Sequence, residues 1–243
     1  MERDLSTLEK MRDDMRKTIG IMILLFFAGV LNAGVSDEDL YCPLLQNTRW
    51  TYNVHNKTIT EQPDYERYVE VNGTEIYDGL SYFSYYSPDA DGKYLMRKDE
   101  KGVYIKAARY AVPFLSFIHF DIIFNPPVYA IKFPLHKGDT WRYDGVATIN
   151  AIFLNFPTKI SADCTHMGLE TIDVCGRSTT AYKLYGVLNR QGVDKPFIAN
   201  WWFGKGVGLA KYESEKVILT LKRIEAIPDA AGNTTQAGAK TPK

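Results

Sequence analysis

Apolar and polar residues alternate along most of this chain with a period of two, as in strands that bury one face. Tyr65, Arg67, Val69 and Val71 fall on one face, and Glu66, Tyr68 and Glu70 on the other. Asn72-Gly73 then supplies a turn signal, and residues 74–77, Asp78-Gly79 and residues 80–87 read as strand, turn and strand. Residues 93–97 and 102–107 form a hairpin closed by 98–101. In 117–124, Ile118, Phe120, Ile122 and Phe124 share one face, with Phe117, His119, Asp121 and Ile123 on the other. The second half reads as strands at 140–149, 160–166, 169–174, 179–188, 197–203, 208–213 and 217–224. Met167-Gly168 and Cys175-Gly-Arg-Ser178 punctuate the middle of that series as turns. About a dozen short strands at this spacing predict an all-β, antiparallel domain over residues 34–227, as a strongly curved sheet or an open barrel.

One skeleton occurs twice. Tyr41-Cys42-Pro43-Leu44 leads to Trp50 and Tyr52, and Phe133-Pro134-Leu135 leads to Trp141 and Tyr143. In both, Trp stands seven residues after Pro and Tyr nine after. Proline fixes the backbone at a strand edge. The leucine then plugs the sheet's open end, and Trp and Tyr, two apart, cover core from one side of the next strand.

Residues 19–31 form the long apolar block, preceded by Arg16-Lys17 and followed by Asn32-Ala33-Gly34. At thirteen residues it is shorter than the roughly 20 that cross a bilayer as a helix. Basic residues, a short apolar core and small residues at the exit predict a signal peptide over residues 1–33. Met15 is the alternative start, and the mature chain is expected to be periplasmic or extracellular. Residues 228–243, rich in Ala, Gly, Thr and Pro, read as a disordered tail.

Composition narrows the function classes. Lys+Arg and Asp+Glu both number 29, so no basic surplus exists to neutralise a phosphate backbone, and nucleic acid is not an expected partner. The 16 tyrosines suit a pleated, half-buried surface. Of the three cysteines, Cys164 and Cys175 flank a predicted hairpin and form the favoured disulfide pair, with a bridge from Cys42 the alternative. Without a Cys-x-x-Cys spacing and with four histidines scattered, no metal site is expected, and no cofactor motif is present.

Several of these segments resemble the TapB-like family of exported bacterial proteins of unknown function. The resemblance rests on Tyr41-Cys-Pro-Leu44 with Trp50-Thr-Tyr52, Phe133-Pro-Leu-His-Lys-Gly-Asp-Thr-Trp141, Gly168-Leu-Glu-Thr-Ile-Asp-Val174, and Trp202-Phe-Gly-Lys-Gly-Val-Gly-Leu209. It spans roughly residues 40–225. Members carry an aromatic where this chain has Cys42 and a different turn where it has Cys175-Gly-Arg-Ser-Thr179, which implies a disulfide particular to this lineage. The family looks distantly like the periplasmic lipoprotein carriers, whose curved antiparallel sheet holds acyl chains.

Candidate chemistry is sparse. Residues 111–133 carry Phe114, Phe117, Phe120, Ile122, Phe124 and Tyr129 with few charges. They read either as a core strand or as the lining for an apolar ligand or partner. His119 and Asp121, two apart on one strand face, could form a base–orienter dyad, but no nucleophile can be placed beside them. Gly204-Lys-Gly-Val-Gly208 reads as a tight turn, and Asp89 and Asp91 as a solvated loop. The sequence therefore predicts an exported, non-enzymatic envelope protein that binds a lipid, another apolar ligand, or an envelope protein. The alternatives are a structural or assembly module and a hydrolase using His119 and Asp121.

Overall fold

In a computed structural model of the chain, residues 41–59, 63–88, 92–112, 115–133, 135–151 and 154–227 are described. The predicted signal peptide and tail lie outside them. Twelve strands follow one another: β1 (Thr48–Asn56), β2 (Tyr65–Tyr77), β3 (Leu80–Ser87), β4 (Gly92–Asp99), β5 (Gly102–Val112) and β6 (Leu115–Lys132). The second half supplies β7 (Thr140–Ala151), β8 (Leu154–Val174), β9 (Arg177–Arg190), β10 (Phe197–Gly204), β11 (Gly208–Ser214) and β12 (Val217–Ala226). Each pairs antiparallel with its neighbour in sequence, and β1 returns to pair with β12 from Thr48↔Ala226 to Asn56↔Val217. The expected all-β antiparallel domain is therefore present, and the β1–β12 ladder closes its sheet into a barrel.

Side chains sort across the wall by the period-two rule. Trp50, Tyr52 and Val54 on β1, Phe120, Ile122 and Phe124 on β6, and Ala199 and Phe203 on β10 are buried together. The intervening positions carry ion pairs: Arg142 with Asp144 and Asp163, Arg109 with Asp121, and Arg223 and Lys222 with Glu66. An apolar lumen within a charged wall is the reverse of a membrane-spanning barrel, which turns its apolar face outward. Tyr41, Cys42 and Leu44 join the core ahead of β1, with the Tyr41 ring centroid 4.3 Å from that of Tyr182.

Two glycine signals that predict turns mark bulges within longer strands. Gly73 (φ 149°) lies where the β2–β3 register shifts between Val71 and Thr74. Gly168 (φ 115°) lies where the β8–β9 register shifts between His166 and Gly168. A glycine there lets the strand absorb an extra residue and go on. The two predicted strands at 160–166 and 169–174 are thus one.

That correction removes the expected disulfide. Cys175 and Gly176 form the two-residue turn after β8, both at positive φ (54° and 74°), while Cys164 sits mid-strand opposite Gly186. Eleven residues of one extended strand separate the two cysteines by roughly 30–35 Å, against a ceiling of about 7 Å between Cα atoms for a bridge. Cys42, Cys164 and Cys175 are all free.

Candidate functional site: an apolar cavity at an interrupted ladder

The wall is incomplete between β6 and β7. Their ladder runs from Phe120↔Ala151 to Asn125↔Val146 and stops. Beyond it β7 pairs only with β8, from Gly145↔Ile160 to Thr140↔Thr165, and β6 only with β5, from Ile105↔Val128 to Gly102↔Lys132. The cause is in the sequence. Pro126 and Pro127 follow Asn125 and have no N–H to donate. Register then jumps on the other side too: Ala107 faces Ile123 and Ile105 faces Val128, so four residues of β6 bulge against Lys106 alone. A side chain spans the break, with the Tyr143 hydroxyl donating to the Pro126 carbonyl over 3.0 Å.

Behind the break lies a cavity of about 80 Å³. Its walls come from six consecutive strands: Ile105, Val128 to Ala130, Trp141 and Tyr143, Ala162 and Cys164, Leu184 with Gly186 to Leu188, and Trp201. The lining is almost wholly apolar, and Val128, Ala130, Trp141, Leu188 and Trp201 are only partly buried, so solvent reaches it. Two glycines shape it. A Cβ on Gly186 would lie 2.6 Å from the Trp201 ring, and one on Gly145 would lie 2.3 Å from the Tyr143 hydroxyl. Only glycine at these inner positions lets the two rings lie flat along the wall.

Next to the Trp141 and Cys164 part of that wall lie two buried polar side chains without partners among the described residues. Trp141 faces Cys164 directly across the β7–β8 ladder, and its buried Nε1 has no hydrogen-bond partner among the described residues. His166 stands two residues beyond Cys164 on the same inner face, 2% exposed, and neither ring nitrogen has a partner among them. Its ring centroid lies 4.8 Å from that of Tyr182. Burial pushes the Cys164 thiol up to about 12, reinforced by nearby Asp163, so it stays protonated at neutral pH and is a poor nucleophile.

Of the residues expected to line a ligand site, Tyr129 lines this cavity, and its hydroxyl donates to Asp99 over 2.5 Å. Burial first, and then that hydrogen bond, hold its phenol well above the usual range. Phe120, Ile122 and Phe124 pack in the core further along β6, Phe117 falls in β6, and Phe114 lies outside the described residues. His119 is exposed, and the Asp121 carboxylate is taken by Arg109 in a two-pronged pair of 2.6 and 2.9 Å. That leaves Asp121 committed to an arginine rather than free to orient an imidazole. The 204–208 segment is the β10–β11 turn, with Gly206 and Gly208 at positive φ, and Asp89 and Asp91 lie outside the described residues. No group of three or more His, Cys, Asp or Glu among the described residues could hold a metal. Trp141, Tyr143, Gly145, Gly186 and Trp201 do not stand out as site residues in the sequence. The Trp-x-Tyr spacing marks the first two as core cover, and nothing linear marks the break that turns them into cavity wall.

The molecule belongs, by its geometry, to the closed, twelve-stranded, up-and-down antiparallel barrels with an apolar lumen. No family model matches the chain and no curated protein matches it, so the resemblance to the TapB-like family gains no support there. Among solved structures it is similar to an exported-type protein with a YmcC-like fold from Bacteroides fragilis, at 11% identity and TM-score 0.47, covering 82% of this chain and 99% of that one. The hypothetical lipoprotein YmcC from Escherichia coli is similar at 10% identity and TM-score 0.40, over 78% of this chain and 89% of that one. A protein from Parabacteroides distasonis, named as a lipoprotein, is similar at 11% identity and TM-score 0.43, over 76% of this chain and 98% of that one. Similarities at this level carry no argument about what this chain does.

Proposed function

We propose that this is an exported, non-enzymatic protein of the cell envelope that takes part of an apolar molecule into its barrel. The observation that carries the reading is the cavity behind the β6–β7 break, apolar on nearly every side and open to solvent. A void of about 80 Å³ receives a segment of an acyl chain rather than a whole lipid, and the remainder of the ligand lies along the break. Export is supported by the apolar block at residues 19–31 with its basic approach and small-residue exit. The test is native mass spectrometry of protein purified from its own cells, followed by titration with a fluorescent fatty acid. Co-purifying lipid or saturable binding is the expected result. Protein that carries no lipid and binds no probe refutes the reading.

A second reading is an assembly module. On either side of the break, residues 140–145 of β7 and 128–132 of β6 keep a partner strand on one side only. A strand from another envelope protein could add there by main-chain hydrogen bonds. Crosslinking in intact cells that recovers only monomer counts against it.

A further inference from the structure

The repeated Trp-x-Tyr motif provides an internal control on what the cavity holds. Its two copies begin β1 and β7, six places apart in the ring of twelve and so on opposite sides of the barrel. The second copy lies on a strand of an interrupted join, and the first lies one strand away from a short one. The β11–β12 ladder has only three pairs, from Lys211↔Thr220 to Glu213↔Ile218, just as the β6–β7 ladder stops short. In the first copy both polar tips are satisfied: Trp50 Nε1 donates to the Val207 carbonyl over 3.2 Å, and the Tyr52 hydroxyl to the Leu209 carbonyl over 3.1 Å. In the second copy the tyrosine does the equivalent, Tyr143 donating to Pro126, but Trp141 Nε1 is buried with no partner among the described residues. Trp141 lines the cavity, and neither Trp50 nor Tyr52 does.

An indole N–H can only donate. Leaving it buried and unpaired costs free energy, so a missing acceptor is the natural complement. His166 is a diagonal neighbour of Trp141 across the β7–β8 ladder, on the same inner face, and it too is buried with no ring partner among the described residues. Diagonal positions lie roughly 7–8 Å apart, within reach of two aromatic side chains converging on one group. Thr51, Ser87 and Tyr110, whose buried hydroxyls also lack partners among the described residues, do not line the cavity.

Building on the apolar-ligand reading, we infer that the ligand carries an acceptor oxygen at the end of its apolar body, the carbonyl of an acyl chain. Trp141 Nε1 donates to that oxygen, with His166 beside it. The apolar stem lies along Val128, Leu184 and Leu188, and the far end leaves through the β6–β7 break. A carboxylic acid and an acyl ester share this chemistry.

The test uses the full chain and three probes: cis-parinaric acid, its methyl ester, and diphenylhexatriene, which has no oxygen. Trp141→Phe keeps the ring and removes the N–H. The substitution is expected to weaken an oxygen-bearing probe about three- to tenfold, the range of one neutral hydrogen bond, and to leave diphenylhexatriene unchanged. The larger loss, acid or ester, identifies the head group. In the wild-type protein the Trp141 indole N–H resonance is expected to move with the oxygen-bearing probe and not with diphenylhexatriene, a readout that stands if the variant does not fold. Equal losses for all three probes, or none, together with an unmoved indole resonance, overturn the anchor while the carrier reading survives. Failure of all three probes to bind wild type overturns both.

Discussion

Gly186→Ala tests whether the cavity is the working part of the molecule. Gly186 lies on β9 with its φ outside the left-handed region, so alanine brings no backbone strain and the effect is steric. The added Cβ would lie 2.6 and 2.9 Å from two carbons of the Trp201 ring and 3.7 Å from Cys164 Sγ. Carbon atoms settle at about 3.5 Å or more, so the ring must retreat by about 1 Å. The ring lines the cavity, so the open space beside it is the cavity itself. Overpacking of this kind costs about 1–3 kcal/mol, which in a chain of this size lowers Tm by roughly 3 °C per kcal/mol. A wall displaced inward also removes room for one or two ligand methylenes, each worth about 0.8 kcal/mol, and so weakens an apolar probe roughly four- to fifteenfold. Urea denaturation followed by fluorescence gives the first number and probe titration the second. Trp201→Leu in the same background should relieve the clash, so that the two substitutions are less than additive. A Gly186→Ala protein with unchanged stability and unchanged probe affinity refutes the reasoning, because the ring would then have swung outward and the cavity would not be where the probe sits.

Two further outcomes follow from the wall and the core. Alkylation in denaturant without reductant should add three groups, and in the native protein Cys175, exposed at its turn, should react well before Cys42 and Cys164; a mass two daltons low would contradict this. Trp202 Nε1 donates to Glu170 over 2.7 Å, and that bond with the Lys183 pair holds the Glu170 carboxyl below its ordinary 4.5. A depressed carboxyl stabilises the fold above the unfolded value and loses that contribution as pH falls through the folded one. Trp202 fluorescence in the wild type should therefore shift below pH 4.5 and Glu170→Gln should abolish that shift, whereas a variant that still shows it would place the titration elsewhere.

The strands were largely legible because period-two burial is a local property. Val69 and Val71, or Phe120, Ile122 and Phe124, announce their face within a few residues. Closure was not, because a curved sheet and a closed barrel demand the same alternation, and only the long-range ladder of β1 with β12 separates them. Gly73 and Gly168 misled for a physical reason: a positive-φ glycine serves a turn and a bulge equally well, and which it makes depends on the partner strand. The disulfide expectation fell with that error, since it needed a hairpin between Cys164 and Cys175 where one strand runs. Of the site, Tyr129 was visible as part of an apolar stretch. Trp141 and Trp201 were not, because they become a cavity wall only when six strands are laid side by side.

Pro126 and Pro127 were visible all along, and their meaning lies in what they forbid. A ladder between β6 and β7 that continued past Asn125 would need donors that these two residues lack. Unpaired backbone is costly when buried and inexpensive when water reaches it, so a break built from prolines is stable only if it stays open to solvent. Beside it, Gly145 and Gly186 keep the inner wall thin, and Tyr143 spans the break with one hydrogen bond instead of a ladder. At the opposite join the indole and phenol of Trp50 and Tyr52 both reach across, and the core there is packed, with Trp50 0% exposed. One motif thus meets two weak joins with different results. Where both polar tips find backbone carbonyls the barrel is sealed, and where one is left over the barrel keeps an opening, a hollow and a spare donor in the same place. The coincidence of those three features at one join, and their absence from the other, favours a portal over a packing defect.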